Sequence, residues 1–294
     1  GRKQQSGTLK RAEELKGALS RLASSQGEVA AACAAGSGAY NGEAGRPSSF
    51  DRLHKLLEAQ AYRPSYWRLA AHEINYRRFF DINDLAGIRM EEPEVMNITH
   101  HLLFQLMQDR VIQGLRLDHI DGLRDPKDYL ERLQEAAGFR TIGSGRIYGA
   151  QGYETPLDQP FYVLVEKILA HHEQLREEWA VSGTTGYEFL SQVGELLTSP
   201  ESEEPLNRIY REFTRRREDF GEIVLEAKHR VMEETLLSEL NVLANRFNRL
   251  AKRSRRTRDI SRGGLRRAIY EIVARFPVYR TYVDGNGSSE ADLR

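Results

Sequence analysis

A single cysteine, Cys33, stands in 294 residues. That excludes an internal disulfide, and a reducing, cytoplasmic setting is expected. Cys33 lies in an Ala/Gly-rich stretch with no His or Asp beside it, so nothing marks it as a nucleophile. No apolar run approaches the length of a membrane span, and the start, Gly1-Arg2-Lys3-Gln4-Gln5, lacks the apolar core of a signal peptide. That start also lacks an initiator Met, as expected of an excised segment. Neither sign of charge is in excess, with 43 basic and 43 acidic side chains. A global drive toward nucleic acid or an anionic membrane is therefore absent, and neither is expected as a partner. The chain has no phosphate-binding glycine motif, no Ser/His/Asp signature and no internal repeat. The pairs His100-His101 and His171-His172 are adjacent and would diverge on a helix, so no metal site is expected.

What is present is mostly helical pattern. Leu9, Leu15, Leu19 and Leu22 predict a helix over 7–24, and residues 25–50, rich in Ala, Gly and Ser, read as a loop or linker. Ser49 or Asp51 could cap a short helix at 51–60. Pro93 and the apolar positions Val95, Ile98, Leu102, Leu106 and Met107 predict a helix over 93–111. Tyr129, Leu130 and Leu133 predict another after Asp125-Pro126. Residues 138–152 read as a glycine-rich loop, and 168–179 as a helix. From 187 to 275 the pattern is almost wholly helical, interrupted by an acidic loop at Pro200 and Pro205. Phe276 to Val283 reads as a strand.

Two short segments read as buried strands that each end in a carboxylate: Gly114-Leu115-Arg116-Leu117-Asp118 and Phe161-Tyr162-Val163-Leu164-Val165-Glu166. Side chains alternate faces along a strand. Arg116 and Asp118 therefore share one face, as do Tyr162, Leu164 and Glu166, while Lys167 points the other way and is given no chemistry. The helical segment between the strands favours parallel pairing. With neighbouring strands about 4.8 Å apart, the two acids could stand roughly 5 Å apart, the separation of a retaining glycosidase pair. Arg116 could keep Asp118 ionised. Desolvation in a closed pocket would raise the pKa of Glu166 and suit it to proton transfer. A structural Arg–Asp pair and a helix-capping Glu are the alternatives.

The surrounding residues carry a resemblance. Arg-x-Asp at one strand end followed by a Glu at a later one resembles the α-amylase superfamily of (β/α)8 barrels. Within it, four ordered stretches resemble the maltooligosyl trehalose synthase family: Glu73-Ile74-Asn75-Tyr76-Arg77-Arg78-Phe79-Phe80-Asp81-Ile82-Asn83-Asp84-Leu85-Ala86-Gly87, Leu115 to Leu123, Val165 to Leu169, and Gly183-Thr184-Thr185-Gly186-Tyr187-Glu188-Phe189.

The resemblance implies an α/β chain, predominantly helical by residue count: part of a (β/α)8 TIM barrel around its fourth and fifth strands, with a large helical insertion. The expected parts are an N-terminal helix and linker (1–50), barrel (51–189), insertion (190–275) and return strand (276–294). It implies Asp118 as nucleophile and Glu166 as general acid/base. Arg116, His119, Asp121, Tyr76, Arg78, Phe79, Asp81, Thr185 and Tyr187 are the expected substrate contacts. Over 73–87 aromatic faces beside planar polar groups suit a sugar, and a salt-bridged loop that packs its aromatics inward is the alternative. The superfamily often places sugar-contacting Lys and His three and four positions after the nucleophile; here those positions are Asp121 and Gly122, so that carry-over fails. No cofactor is expected. The expected partners are a maltooligosaccharide or other α-glucan and the remainder of the same enzyme, because the third carboxylate, the early Asn-His motif and the first strands have no match here. Another amylase-type α-glucan hydrolase or transglycosidase is the nearest rival. A non-catalytic helical module binding nucleic acid or protein through the basic run 251–267 is a weaker one, since a solvated face explains that run as well. Trp179 suits a core or a sugar platform equally.

Overall fold

The computed structural model describes residues 2–142, 146–149, 161–284 and 287–293, with side chains from residue 11 onward except at 140–149 and 291. The chain forms two compact units, Gly1–Arg68 and Leu69–Arg294.

The first unit holds α1 (Arg2–Ser25), α2 (Gly27–Gly38) and α3 (Asp51–Glu58). The expected linker is thus in part a helix. Its alanines, the best helix formers, outweigh the flanking glycines. Neither expected cap serves α3, whose N-cap is Phe50. The Ser49 hydroxyl instead donates to the Arg46 carbonyl at 2.6 Å and accepts the Glu43 N–H at 2.8 Å.

In the second unit β1 (Arg78–Phe79) and β2 (Ile82–Ala86) form an antiparallel hairpin. The helix expected over 93–111 is two, α4 (Pro93–Thr99) and α5 (His101–Gln108), broken at His100 (φ −104°, ψ 8°), whose Nε2 lies 2.8 Å from the Tyr129 hydroxyl. Next come β3 (Gly114–Leu117) and α6 (Pro126–Ala136), which Asp125 caps by accepting the Asp128 N–H at 3.0 Å. The glycine-rich stretch carries a hairpin, β4 (Phe139–Ile142) with β5 (Arg146–Gly149); the rest of that loop, 143–145 and 150–152, lies outside the described residues. β6 (Tyr162–Val165) and β7 (Gly183–Thr184) follow.

Between them, 168–179 is not helical. The Glu173 carboxylate accepts the Ala170 N–H at 3.2 Å and pairs with the Lys167 ammonium at 2.8 Å, so side chains set the turns there. The helical block is as expected: α7 (Tyr187–Leu197), α8 (Glu203–Thr214, with Pro205 in its first turn rather than in a loop), α9 (Phe220–Glu234), α10 (Leu237–Ala251) and α11 (Arg262–Ala274). α9, α10 and α11 pack on one another. No strand forms at 276–283. The Arg280 guanidinium instead holds the carbonyls of Asp121 (3.0 Å) and Leu123 (2.5 Å), so a side chain anchors this segment where a ladder was expected.

The central sheet has the order β3-β6-β7, all parallel, with Leu115↔Val163, Leu117↔Val165 and Val165↔Thr184 in register. One face is core. Val163 and Val165 are fully buried with Met96 of α4, Met107 of α5, Leu130 and Leu133 of α6, Ile120 and Trp179. Trp179 is therefore a core side chain, edge-on to Tyr282 at 5.0 Å. The buried Gln134 locks α6 to the sheet, donating to the carbonyls of Phe161 (2.9 Å) and Ala180 (3.0 Å) and accepting the Phe161 N–H (3.0 Å). The chain is thus largely helical around a small parallel sheet.

Candidate active site

The β3–β6 register carries the two strands' ends together. Leu117 pairs with Val165, so Asp118 and Glu166 are the next residues of adjacent strands, and the Glu166 N–H donates to the Leu117 carbonyl at 2.7 Å. Alternation puts both on the face opposite the core, with Arg116, Tyr162 and Leu164. Arg116 Nη1 donates to Asp118 Oδ1 at 2.6 Å, and the Asp118 side chain is 64% exposed. Glu166 is half-buried and its Oε2 accepts the His119 N–H at 2.9 Å. That bond requires an unusual backbone. His119 has φ 48°, in the left-handed region that non-glycine residues visit rarely. The bond joins the turn after the first acid to the side chain of the second.

The His119 ring is walled by aromatic neighbours: Phe79 edge-on at 5.2 Å, Phe80 at 5.3 Å and Tyr279 at 6.1 Å. Gly122 permits this, since a Cβ there would lie 2.5 Å from His119 Cδ2. These residues line a cavity of about 1090 Å³ together with Arg77, Arg124 and Glu239. Arg78 and Asp121 also line it, whereas Asp118 and Glu166 do not; His119, whose N–H donates to Glu166, joins the carboxylate pair to its wall. An aromatic wall with a charged rim suits a ligand with ring faces and hydroxyls.

No protein-family model matches the chain. A Mycobacterium tuberculosis protein assigned as a maltooligosyl trehalose synthase is 32% identical over 218 residues, 74% of this chain but 24% of the relative. The solved maltooligosyltrehalose synthase from Arthrobacter ramosus aligns over 82% of this chain and 27% of its own, with 33% identity and a TM-score of 0.62. A Sulfolobus tokodaii structure described as a hypothetical maltooligosyl trehalose synthase aligns over 81% and 27%, with 28% identity and a TM-score of 0.58. The chain is homologous to part of the maltooligosyl trehalose synthases. It spans about a quarter of the length of the curated relatives it matches.

Of the sugar contacts that the synthase resemblance implied, Phe79 lines the cavity and Tyr76 is exposed, its hydroxyl donating to the Asn83 carbonyl at 2.9 Å. Arg78 lines the cavity too, but its guanidinium is turned to protein partners. Its side chain is 3% exposed, and its donors are taken by Glu239 (2.8 and 3.1 Å), Asn83 (2.7 Å), the Asp81 and Thr235 carbonyls (3.0 and 3.1 Å) and Ser238 (3.3 Å). The Glu239 hydrogen bond raises the Arg78 pKa. Burial opposes ionisation of Glu239, yet hydrogen bonds from Arg78 and Ser238 hold its carboxyl below the usual range. Asp81 contributes its carbonyl to the same knot.

Asp121 is likewise engaged within the protein. It is buried, accepts the Tyr282 hydroxyl, and pairs with Lys167 at 3.4 Å. Burial, then the bond to Asp121, pushes the Tyr282 phenol well above its ordinary value. At the third strand the Thr185 N–H donates to the Val165 carbonyl at 3.0 Å, while its buried hydroxyl finds no partner among the described residues. Thr184 donates to Glu188, and Tyr187 is partly exposed at the start of α7, after Gly186 in the left-handed region (φ 92°).

Lys167, Glu173, Tyr279, Arg280 and Tyr282 were not anticipated. For Lys167 a signal existed: Val163, Val165 and Lys167 share the core face, and a lysine so placed demands acidic partners. The basic run carries exposed side chains over a string of turns and the start of α11; there Lys252 holds the Arg258 carbonyl and Arg262 holds Asn245.

Proposed function

We propose that this chain supplies two of the acids of a maltooligosyl trehalose synthase, which turns the reducing-end α-1,4 bond of a maltooligosaccharide into an α,α-1,1 bond by retaining double displacement. The reading rests on one observation: in-register parallel strands end together in Asp118 and Glu166, on the face away from the core. Neighbouring strands lie about 4.8 Å apart, close to the ~5–5.5 Å carboxyl separation of retaining enzymes. A parallel sheet in a doubly wound fold has helices on both faces, whereas in a barrel they cover the outer face alone. Here α4, α5 and α6 cover one face and the acids sit on the other. We therefore read β3, β6 and β7 as an arc of a (β/α)8 barrel, its open face turned to the lumen.

In this mechanism Glu166 protonates the glycosidic oxygen while Asp118, hydrogen-bonded by Arg116, attacks the anomeric carbon. The released glucose turns and presents its anomeric hydroxyl. Glu166, now a base, takes that proton, and the new bond forms with net retention. Water must be kept out, because hydrolysis would release glucose. Both steps are acid/base and nucleophilic, and need no cofactor. A third acid comes from another strand.

The test uses the Arthrobacter ramosus enzyme with its matched stretch replaced by this chain. Maltopentaose should give a non-reducing product of unchanged length. Asp118→Asn and Glu166→Gln should each cut turnover by about a thousandfold or more, as removal of a covalent nucleophile or general acid does. New reducing ends in place of the non-reducing product would favour an amylase-type hydrolase and overturn the reading.

A further inference from the structure

Lys167 has no role in the chemistry above, yet its placement joins both acids. It follows Glu166 directly, and the strand's alternation sends its side chain into the interior, where it has no solvent exposure. A buried ammonium is tolerated only when paired. Its Nζ lies 2.8 Å from Glu173 Oε1, 3.4 Å from Asp121 Oδ2, and 5.3 Å from the centre of the Tyr282 ring. Asp121 is the third residue after Asp118. Its other carboxylate oxygen accepts the Tyr282 hydroxyl, and its carbonyl accepts Arg280. The turn from Asp118 to Gly122 is thus held at three points: by Lys167 through Asp121, by Arg280 from below, and by the His119 N–H on Glu166. Two of those three ties run back to the end of β6.

We propose that Lys167 is a positioning residue that fixes the Asp118–Gly122 turn against Glu166 and so sets the gap between the two carboxylates. This rests on the reading of Asp118 and Glu166 as the reacting pair. Lys167 touches neither substrate nor reacting atoms; it acts through Asp121. Without it, Asp121 and Glu173 would repel across the interior and the turn would lift from the strand end. An attack geometry loosened in this way lowers turnover without weakening the hold on the rest of the glucan.

Two measurements test the proposal. The first is amide hydrogen exchange on this chain, comparing wild type, Lys167→Met, Lys167→Arg and the neutral triple K167M/D121N/E173Q, which avoids stranded charges. The His119 amide should exchange at least about tenfold faster in K167M and in the triple, with the Glu166 and Thr185 amides unchanged and K167R close to wild type. Unchanged His119 protection in both would overturn the proposal, and so would equal loss at all three amides, which marks general unfolding. The second is turnover in the exchanged Arthrobacter enzyme. K167M should lower kcat by about tenfold or more with KM within about twofold, K167R should recover most of it, and the released-glucose share of product should rise. Wild-type kcat in K167M, with D118N inactive, would sink the role of Lys167 and leave the acids standing. Turnover surviving in D118N would sink the acids themselves, while His119 exchange would still report on the turn.

Discussion

At Arg78 the nitrogens of one guanidinium face acceptors on three segments: Glu239 and Ser238 on α10, the Thr235 carbonyl before it, and Asn83 with the Asp81 carbonyl in the β1–β2 hairpin. Removing the buried partner of this ion pair leaves the Glu239 carboxylate without its guanidinium donors. Because Glu239 keeps 36% of its side-chain exposure, solvent takes up part of the loss, and Arg78→Met is expected to destabilise the fold by about 1–3 kcal/mol, read as a drop in the urea midpoint with an unchanged slope. A shift near zero would return Arg78 to the candidate ligands. The sequence placed Arg78 beside Phe79 among sugar contacts because aromatic and planar polar groups alternate there. It could not reveal Glu239, 161 residues further on. The same distance separates Asp121 from Tyr282. The facing of Arg116, Asp118 and Glu166 was legible because a period of two is local. The fate of Arg78 and Asp121 was not, because their partners are defined only by the tertiary fold.

Among elements, those whose apolar spacing decides their shape were readable: β3, β6, α6, and the helices from α7 to α11. The failures lie where side chains capture the backbone. Glu173 shapes the stretch before β7, and Arg280 anchors the segment expected as a strand. The break between α4 and α5 belongs with these, for it turns His100 onto Tyr129 of α6. This pair makes the helix layer sensitive to pH. Burial pushes the Tyr129 phenol up to about 12 from an ordinary 10.0. Between those values the unfolded chain has lost a proton that the folded chain keeps, so the stabilisation is whole below pH 10 and is lost as pH climbs toward 12. Its size is on the order of 2 kcal/mol. Burial also holds the His100 imidazole below its ordinary 6.5, so that contribution is present above that pH and fades as pH falls through the lowered value. Urea midpoints from about pH 10 to 12 should fall more steeply for wild type than for Tyr129→Phe. Parallel curves would show that this phenol does not govern the alkaline limb.

On the scale of the molecule, the sheet has a covered side and an open one, and the Asp118 carboxylate faces solvent. An acid in bulk water cannot shield a glycosyl intermediate from hydrolysis. The 294-residue chain alone is accordingly expected to form no trehalose-type product from maltopentaose; detectable turnover by the purified chain would refute this. The parallel pairing of β3 with β6 inside a largely helical chain was legible from the apolar runs and the helical segment between them. The pleat of β6 has a last consequence. Tyr162, Leu164 and Glu166 look outward while Val163, Val165 and Lys167 look inward, so odd and even positions serve separate chambers. Slipping one residue into this strand would exchange them: the ammonium would surface beside Asp118, and the carboxyl would sink toward Asp121 and Glu173, two groups of its own charge. Length here is fixed modulo two, a constraint stricter than the identity of any single apolar side chain along it.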